Sequence, residues 1–337
     1  MTKYIIRRLL MAIPTLLAIS FIIFAILELS PSDPVGNLPL TVPQEVREQI
    51  RETMGANDPF LVKYVKWLRQ FLINEPLNIV EEATGATLPG SEERLRYISW
   101  QTRSPIVDIV WQRLPQTLWV VGIAYVLAVI IAVPVGVLSA YKQYSIFDQL
   151  GTFISMVGFS VPTFFTGLLF IIIFSVELQW FPSIYDTTLV VTDWDSLLEQ
   201  IRQMFLPTIV LTLFFTAQLS RFTRSSMLDN LNAQYIRTAR SKGLREREVI
   251  MRHALRNSLI PVVTLIALGI PQIFQGAIIT EQIFRVNGLG QLLITAINGG
   301  DLPMVQTLTF IFAVLIVMAN IFADILYALL DPRVSYS

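Results

Sequence analysis

Long apolar runs separated by polar connections dominate the pattern of this 337-residue chain. A helix needs about 20 apolar residues to cross the hydrocarbon of a bilayer. Because no water satisfies backbone groups there, each apolar run of that length is predicted to be helical. Six runs qualify, approximately Leu9–Leu29, Gln116–Ala140, Leu150–Val176, Leu206–Ser220, Leu259–Thr280 and Val305–Leu330. The fourth run is the weakest, because Gln218 and Ser220 shorten its apolar stretch.

Composition supports a membrane protein. Hydrophobic residues make up 53% of the chain and charged residues only 15%, whereas soluble domains carry about 25% charged residues. We therefore expect an all-α membrane protein with six transmembrane helices. The chain has no cysteine and a single histidine, His253, which excludes disulfides and thiolate chemistry and argues against histidine metal sites and catalytic triads. We predict no catalytic residue, no metal site and no cofactor in this chain.

The distribution of Lys and Arg predicts the orientation. Residues 1–8, 141–149, 221–256 and the tail hold 14 of the 25 Lys and Arg residues, and such clusters mark cytoplasmic segments. Both termini are therefore predicted to be cytoplasmic. The chain then divides into an N-terminal anchor helix (1–30), an extracytoplasmic elaboration (31–115), a five-helix core (116–330) and a cytoplasmic tail (331–337).

The extracytoplasmic elaboration contains two predicted helices. Thr41–Met54 and Pro59–Ile73 each place apolar residues on one face, as amphipathic helices do. Asn74–Pro105, which is interrupted by Pro76 and Gly85, is predicted to be rich in loops. The elaboration could be a cap packed over the bundle or a surface that binds a ligand or partner.

The most distinctive segment is the basic loop over 221–257. From Arg221 to Arg256 it carries nine Lys or Arg against three Asp or Glu. Ala233–Lys242 is predicted to be a short helix, with Gly243 as its left-handed C-cap residue. A helix–glycine–helix unit favours a docking site for a soluble partner, and contact with anionic lipid is the alternative. The residues expected to form the site are Tyr235, Ile236, Arg237, Ala239, Arg240, Lys242 and Gly243.

This loop resembles the cytoplasmic EAA-type loop of ABC importer permeases, although Arg237-Thr-Ala239 stands where the general pattern begins Glu-Ala-Ala. Tyr235–Leu244 and Arg252–Asn257 are more similar to the dipeptide, oligopeptide and nickel permeases, specifically to their B-type subunit. Further matches follow along the chain in the family's order: Tyr4–Leu10, Arg113–Thr117, Ser160–Phe164, Glu281–Phe284, Gly288–Gly290, Asp301–Gln306 and Asp331–Arg333.

The resemblance implies a type I ABC importer permease fold in a bacterial or archaeal inner membrane. It implies import of peptides, or of a related solute such as a nickel chelate, by alternating access. The implied partners are a homologous second permease, two cytosolic ATPase subunits that bind ATP and Mg, and an extracytoplasmic substrate-binding protein. Membrane lipid surrounds the complex, and no nucleic acid is expected. The chain has no GxxxxGK[ST] motif, so ATP is expected on the partners, and the 233–243 helix would couple to them.

Polar residues inside spans usually face a bundle interior or a cavity. The candidates for a translocation path are Ser155, Ser160, Gln218, Gln272, Gln275 and Asn320. Hydrogen bonding between helices is the alternative for each of them. The rival function is an ion-coupled secondary transporter, which would usually show buried acidic or histidine pairs and inverted repeats. An intramembrane hydrolase and a scaffold without transport are further alternatives; the former lacks HExxH and GxSxG motifs here.

Overall fold

A computed structural model describes residues 2–29, 43–53, 58–87, 90, 94, 96–275 and 277–330. Within these residues the chain is helical, and the one extended pairing is a bridge between Ile98 and Pro105, which confirms the all-α class. The predicted tail over 331–337 lies outside the described residues. The helices are α1 Thr2–Glu28, α2 Gln44–Thr53, α3 Phe60–Arg69, α4 Glu75–Thr84, α5 Ile106–Tyr141, α6 Ile146–Ser160, α7 Thr163–Glu177, α8 Trp194–Leu231, α9 Gln234–Ser241, α10 Glu246–Phe274, α11 Ile278–Phe284, α12 Leu289–Asn298 and α13 Leu302–Leu330.

Among the residues that the structure describes, five helices are long and apolar enough to cross a bilayer: α1, α5, α8, α10 and α13. The α6–α7 pair makes a sixth if its two helices form one broken span. It bends by 102°, so the predicted run Leu150–Val176 is divided into two helices. Val161 is extended at the bend (φ −82°, ψ 124°), because the ring of Pro162 disfavours helical backbone in the preceding residue.

Other predicted boundaries also need correction. Helix α8 runs from Trp194 to Leu231. It therefore extends beyond both ends of the predicted run Leu206–Ser220 and includes the first eleven residues of the basic loop. It begins with a capping box in which Asp193 and Ser196 bond to each other's backbone N–H. The fifth span, predicted to reach Thr280, ends at Phe274, and α11 begins separately at Ile278.

The described chain forms two compact units. The larger unit comprises residues 1–9, 114–291 and 315–337, and the smaller comprises residues 10–113 and 292–314. In the larger unit α5 and α8 pack side by side, and at Gly136 a Cβ atom would lie 2.6 Å from Thr223 Cβ. Small and aliphatic residues of α5, such as Ala124 and Ala128, are fully buried in this core.

The smaller unit is built around aromatic residues. Phe24, Trp67 and Phe310 are buried together, and the Trp67 and Phe310 rings meet edge to face with centroids 5.3 Å apart. Helices α2 and α3 confirm the two predicted amphipathic helices. The expectation that Asn74–Pro105 is mostly loop is wrong for Glu75–Thr84, which is α4. Helix α4 continues from α3 through a π-helical turn at Gln70–Asn74, and Pro76 lies in its first α-helical turn.

Candidate functional site

The short basic helix α9 has the predicted form. It runs from Gln234 to Ser241, and Gly243 follows with a φ of +77°. The N–H of Gly243 donates to the carbonyl of Arg240 (2.9 Å), and the N–H of Leu244 donates to the carbonyl of Ala239 (3.4 Å). These two bonds form a Schellman motif. A residue with a side chain would be strained at this left-handed position, and glycine is not.

One side of α9 is fixed to its own chain. The Ile236 side chain is fully buried and Ala239 is 6% exposed. Both residues belong to the predicted docking site, but in this conformation the chain's own core covers them. The residues that cover them come from the ends of α5, α8 and α10: Ala140, Met227, Val249, Ile250 and Ala254.

The opposite side of α9 is exposed. Tyr235 is 39% exposed, and its hydroxyl donates to Asn230 Oδ1 at 2.5 Å. Arg237 and Lys242 are exposed, and neither has a carboxylate partner among the residues that the structure describes. Arg240, by contrast, forms two bonds to the carboxylate of Glu246, at 2.6 and 3.2 Å. The surface therefore offers one aromatic ring and two uncompensated cations, a set suited to an acidic or mixed protein surface.

The candidates for a translocation path are not assembled into one cluster. Ser155 is buried and shares a 3.0 Å hydrogen bond with Ser220, joining α6 to α8, as expected for the alternative of hydrogen bonding between helices. The side chain of Gln275 lies outside the described residues. The remaining candidates are exposed on the single chain: Ser160, Gln218, Gln272 and Asn320.

A buried carboxylate centre escaped the sequence reasoning. Glu281 is fully buried; its Oε1 accepts from the Thr117 hydroxyl (3.1 Å) and its Oε2 from the N–H of Gln291 (2.9 Å). The Thr117 oxygen in turn accepts from the N–H of Leu289 at 2.8 Å. Burial raises the pKa of the Glu281 carboxyl above its usual range, against the opposing effect of hydrogen bonds from Gln291, Thr117 and Gly290.

Two glycines make room for this carboxylate. A Cβ atom at Gly288 would lie 2.5 Å from Glu281 Oε1, and one at Gly290 would lie 2.9 Å from Oε2. The Glu281–Phe284, Gly288–Gly290 and Arg113–Thr117 motifs were recognised from the sequence as separate matches. The three motifs could thus be identified in the sequence, but their meeting around the Glu281 carboxylate, at the first turn of α12, is seen only in the fold.

A second buried polar network lies between α5 and α8. The Tyr185 hydroxyl donates to Gln116 Oε1 at 2.7 Å and accepts a bond from Gln200. Gln203 donates to Gln200 Oε1 at 2.8 Å. Gln200 and Gln203 are both buried, and their mutual bonds satisfy polar groups that would otherwise destabilise a buried position. No sequence pattern indicated this network, because its members are scattered over three segments.

In the smaller unit, Asp301 anchors the end of the elaboration. Its carboxylate accepts bonds from the Ser99 hydroxyl and from the backbone N–H of Trp100 (3.0 Å) and Gln101 (3.3 Å). Tyr97 donates to Gln306 Oε1 at 3.0 Å. The segment around residue 99, to which sequence reasoning assigned no role, thus holds the Asp301–Gln306 motif in place.

Comparison with known proteins gives the context for these sites. Residues 132–336 match the family described as "Binding-protein-dependent transport system inner membrane component". Residues 1–121 match the description "Binding-prot-dependent transport system membrane comp, N-term".

Three curated relatives align along their whole lengths. The oligopeptide transport system permease protein AppB of Bacillus subtilis (strain 168) is 40% identical over 337 residues, which is 100% of both chains. The dipeptide transport system permease protein DppB of Alkalihalophilus pseudofirmus is 34% identical, again over 100% of both chains. A putative peptide transport system permease protein of Brucella suis biovar 1 is 35% identical and is covered to the same extent.

These matches bear out the type I ABC permease fold expected from the motifs and give the ion-coupled alternative no support. They also identify the chain as a multi-pass membrane permease subunit, with ATP hydrolysis assigned to other subunits. The chain belongs to the inner-membrane components of binding-protein-dependent transport systems.

Proposed function

We propose that this chain is one of two membrane subunits of an ATP-driven importer of peptides. The observation that supports peptides as cargo is the full-length similarity to proteins named as oligopeptide and dipeptide transport permeases. The proposed complex contains a homologous second permease, two cytosolic ATPase subunits and an extracytoplasmic substrate-binding protein. A nickel chelate or another small solute is the alternative cargo.

The proposed location is the inner membrane of a bacterium or archaeon, with both termini in the cytoplasm. The distribution of charge supports this orientation, because 14 of the 25 Lys and Arg residues fall in the four short segments assigned to the inside. The same orientation places α9 in the cytoplasm, where ATPase subunits are accessible.

In this proposal α9 docks on an ATPase subunit through its exposed side. Tyr235, Arg237 and Lys242 make the contact, while Ile236 and Ala239 hold the helix to the transport core from within. The observation that carries this assignment is the division of α9 into a fully buried side and an exposed, cationic side. Movement of the ATPase subunits would therefore be transmitted to α5, α8 and α10, which pack against α9.

The translocation path is proposed to lie where the second permease faces this chain. The exposure of Gln218, Gln272 and Asn320 on the single chain supports this, since polar residues inside spans seldom face lipid. Ser160 and Gln275 remain candidates by position, and Ser155 belongs instead with the α6–α8 contact.

The experiment that tests the docking role reverses the charge of the exposed side of α9. The double variant Arg237→Glu with Lys242→Glu is compared with Glu199→Lys. Each of these substitutions reverses the charge of one exposed side chain, and Glu199 lies on α8, away from α9. Peptide uptake by proteoliposomes containing the whole complex is measured, together with co-purification of the ATPase subunits.

We expect the double variant to insert normally, because neither residue is buried, and to lose uptake and co-purified ATPase. The Glu199 variant should retain both. Uptake and co-purification at the control level in the double variant would show that α9 does not dock through this surface.

A further inference from the structure

A cavity of about 320 Å³ opens between α5, α6 and α8 in the larger unit. This volume is near the lower limit of the range found for ligand-binding pockets. Five residues with a hydroxyl group and two arginines line it, and no Asp or Glu does. These seven residues are Ser139, Thr152, Ser155, Ser220, Arg221, Arg224 and Ser225.

The two arginines differ in their electrostatic state. Arg224 is neutralised from outside the cavity, because its guanidinium forms bonds of 2.6 and 2.8 Å to the two carboxylate oxygens of Asp148. Arg221 has no carboxylate partner among the described residues; its guanidinium lies 4.6 Å from the centre of the Phe159 ring. The cavity therefore carries one uncompensated positive charge next to hydroxyl donors.

The depth of the cavity is set by the turn that joins α5 to α6. Ser139 lies two residues before the end of α5 at Tyr141, and Thr152 lies six residues after the start of α6 at Ile146. At a rise of 1.5 Å per residue, both lie within roughly 9 Å of the helix ends. Both also lie within two residues of the ends of the predicted apolar runs, Ala140 and Leu150, so they are expected near the depth of the lipid headgroups.

We infer that this cavity binds a phosphate group, with Arg221 as the charge partner and the surrounding hydroxyls as hydrogen-bond donors. Basic pockets between membrane helices at headgroup depth bind anionic headgroups, and Arg suits phosphate because its planar donors match the phosphate oxygens. An anionic phospholipid and free phosphate present the same chemistry, and the depth of the cavity favours the phospholipid.

Lipid binding to the purified importer complex tests this inference. Native mass spectrometry would measure retention of phosphatidylglycerol and of phosphatidylcholine by the complex, with inorganic phosphate titrated separately. Arg221→Gln removes the free charge, and Arg247→Gln is the matched control, since Arg247 is exposed and does not line the cavity. Gly151→Val leaves every charge in place but fills the cavity, because even a Cβ atom there would lie 3.2 Å from Ser139 Oγ.

We expect wild type and the Arg247 variant to retain phosphatidylglycerol in preference to phosphatidylcholine. Arg221→Gln should bind phosphatidylglycerol about fivefold more weakly, as expected for loss of one cation near a membrane surface. Gly151→Val should also bind it more weakly, because the added side chain occupies the cavity. Binding of inorganic phosphate alone, with the same loss in both variants, would assign the site to free phosphate. Equal lipid and phosphate binding by all four proteins would overturn the inference.

Discussion

Replacing Glu281 by glutamine changes the buried centre beside α12 without changing its volume. In the wild-type chain two carboxylate oxygens accept bonds from Thr117, Gly290 and Gln291. Glutamine offers one acceptor oxygen and turns an NH2 group towards N–H or O–H donors. Even when protonated, the glutamate carboxyl keeps an accepting lone pair on its hydroxyl oxygen, which the amide NH2 lacks. At least one buried donor is then left without an acceptor, which costs about 1–3 kcal/mol.

The cost should depend on pH. Burial raises the pKa of the folded-state Glu281 carboxyl, so the folded chain holds this proton more tightly than the unfolded chain does. The stabilisation that results is fully present below the unfolded-state pKa of about 4.3 and is lost as pH rises through the folded-state value. Glutamine has no proton to lose. The stability difference between wild type and Glu281→Gln should therefore be largest in acid and should shrink as pH rises.

Thermal unfolding of the purified chain in detergent, measured between pH 5 and pH 8, tests this reasoning. Glu199→Gln is the control, because Glu199 is exposed and the substitution should leave the midpoint unchanged. Gly288→Ala perturbs the same centre without changing Glu281. Its Cβ atom would lie 2.5 Å from Glu281 Oε1, so this variant should also unfold at a lower temperature. A Glu281→Gln midpoint equal to that of wild type at every pH would refute the account of this centre.

Two further predictions concern packing. Ile236→Ala removes a fully buried side chain and should cost about 2–5 kcal/mol, seen as faster hydrogen exchange of the 233–243 amides; unchanged exchange would contradict the anchoring of α9. Gly136→Ala should destabilise the chain by about 1–3 kcal/mol, because its Cβ would lie 2.7 Å from the Ser220 carbonyl oxygen. Gly122→Ala is its control: the nearest atom there lies at 3.7 Å, so a thermal midpoint lowered equally in both variants would refute the claim of close contact at Gly136.

Sequence patterns sufficed where the determinants are local. The length of each apolar run located the membrane helices, because the bilayer imposes that length on any helix that crosses it. Gly243 marked the end of α9 correctly, since a left-handed C-cap depends on that one residue and its neighbours. The apolar run over Leu150–Val176 indicated a span, but the 102° bend at Pro162 depends on packing that no local pattern contains.

Side-chain direction was harder to predict. The periodicity of α9 placed Tyr235, Ile236 and Ala239 near one another, but it could not say whether the partner of that face was another protein or the same chain. Met227 and Val249 cover Ile236 in the fold, and they flank α9 in sequence inside the same basic loop. Which apolar residues of the loop pack on Ile236 depends on how α8 and α10 approach α9, and that approach is not a local property of the sequence.

The anchoring of α9 bears directly on how force could reach the membrane helices. Only residues 232–233 separate α8 from α9, and only residues 242–245 separate α9 from α10. With such short connections, with Ile236 packed into the core and with Arg240 bound to Glu246 at the start of α10, α9 cannot shift far without moving the helix ends around it. Close-packed interiors transmit displacement rather than absorb it. A push on the exposed side of α9 would therefore move the ends of α5, α8 and α10 together, which is what a switch between two discrete arrangements of the transport core requires.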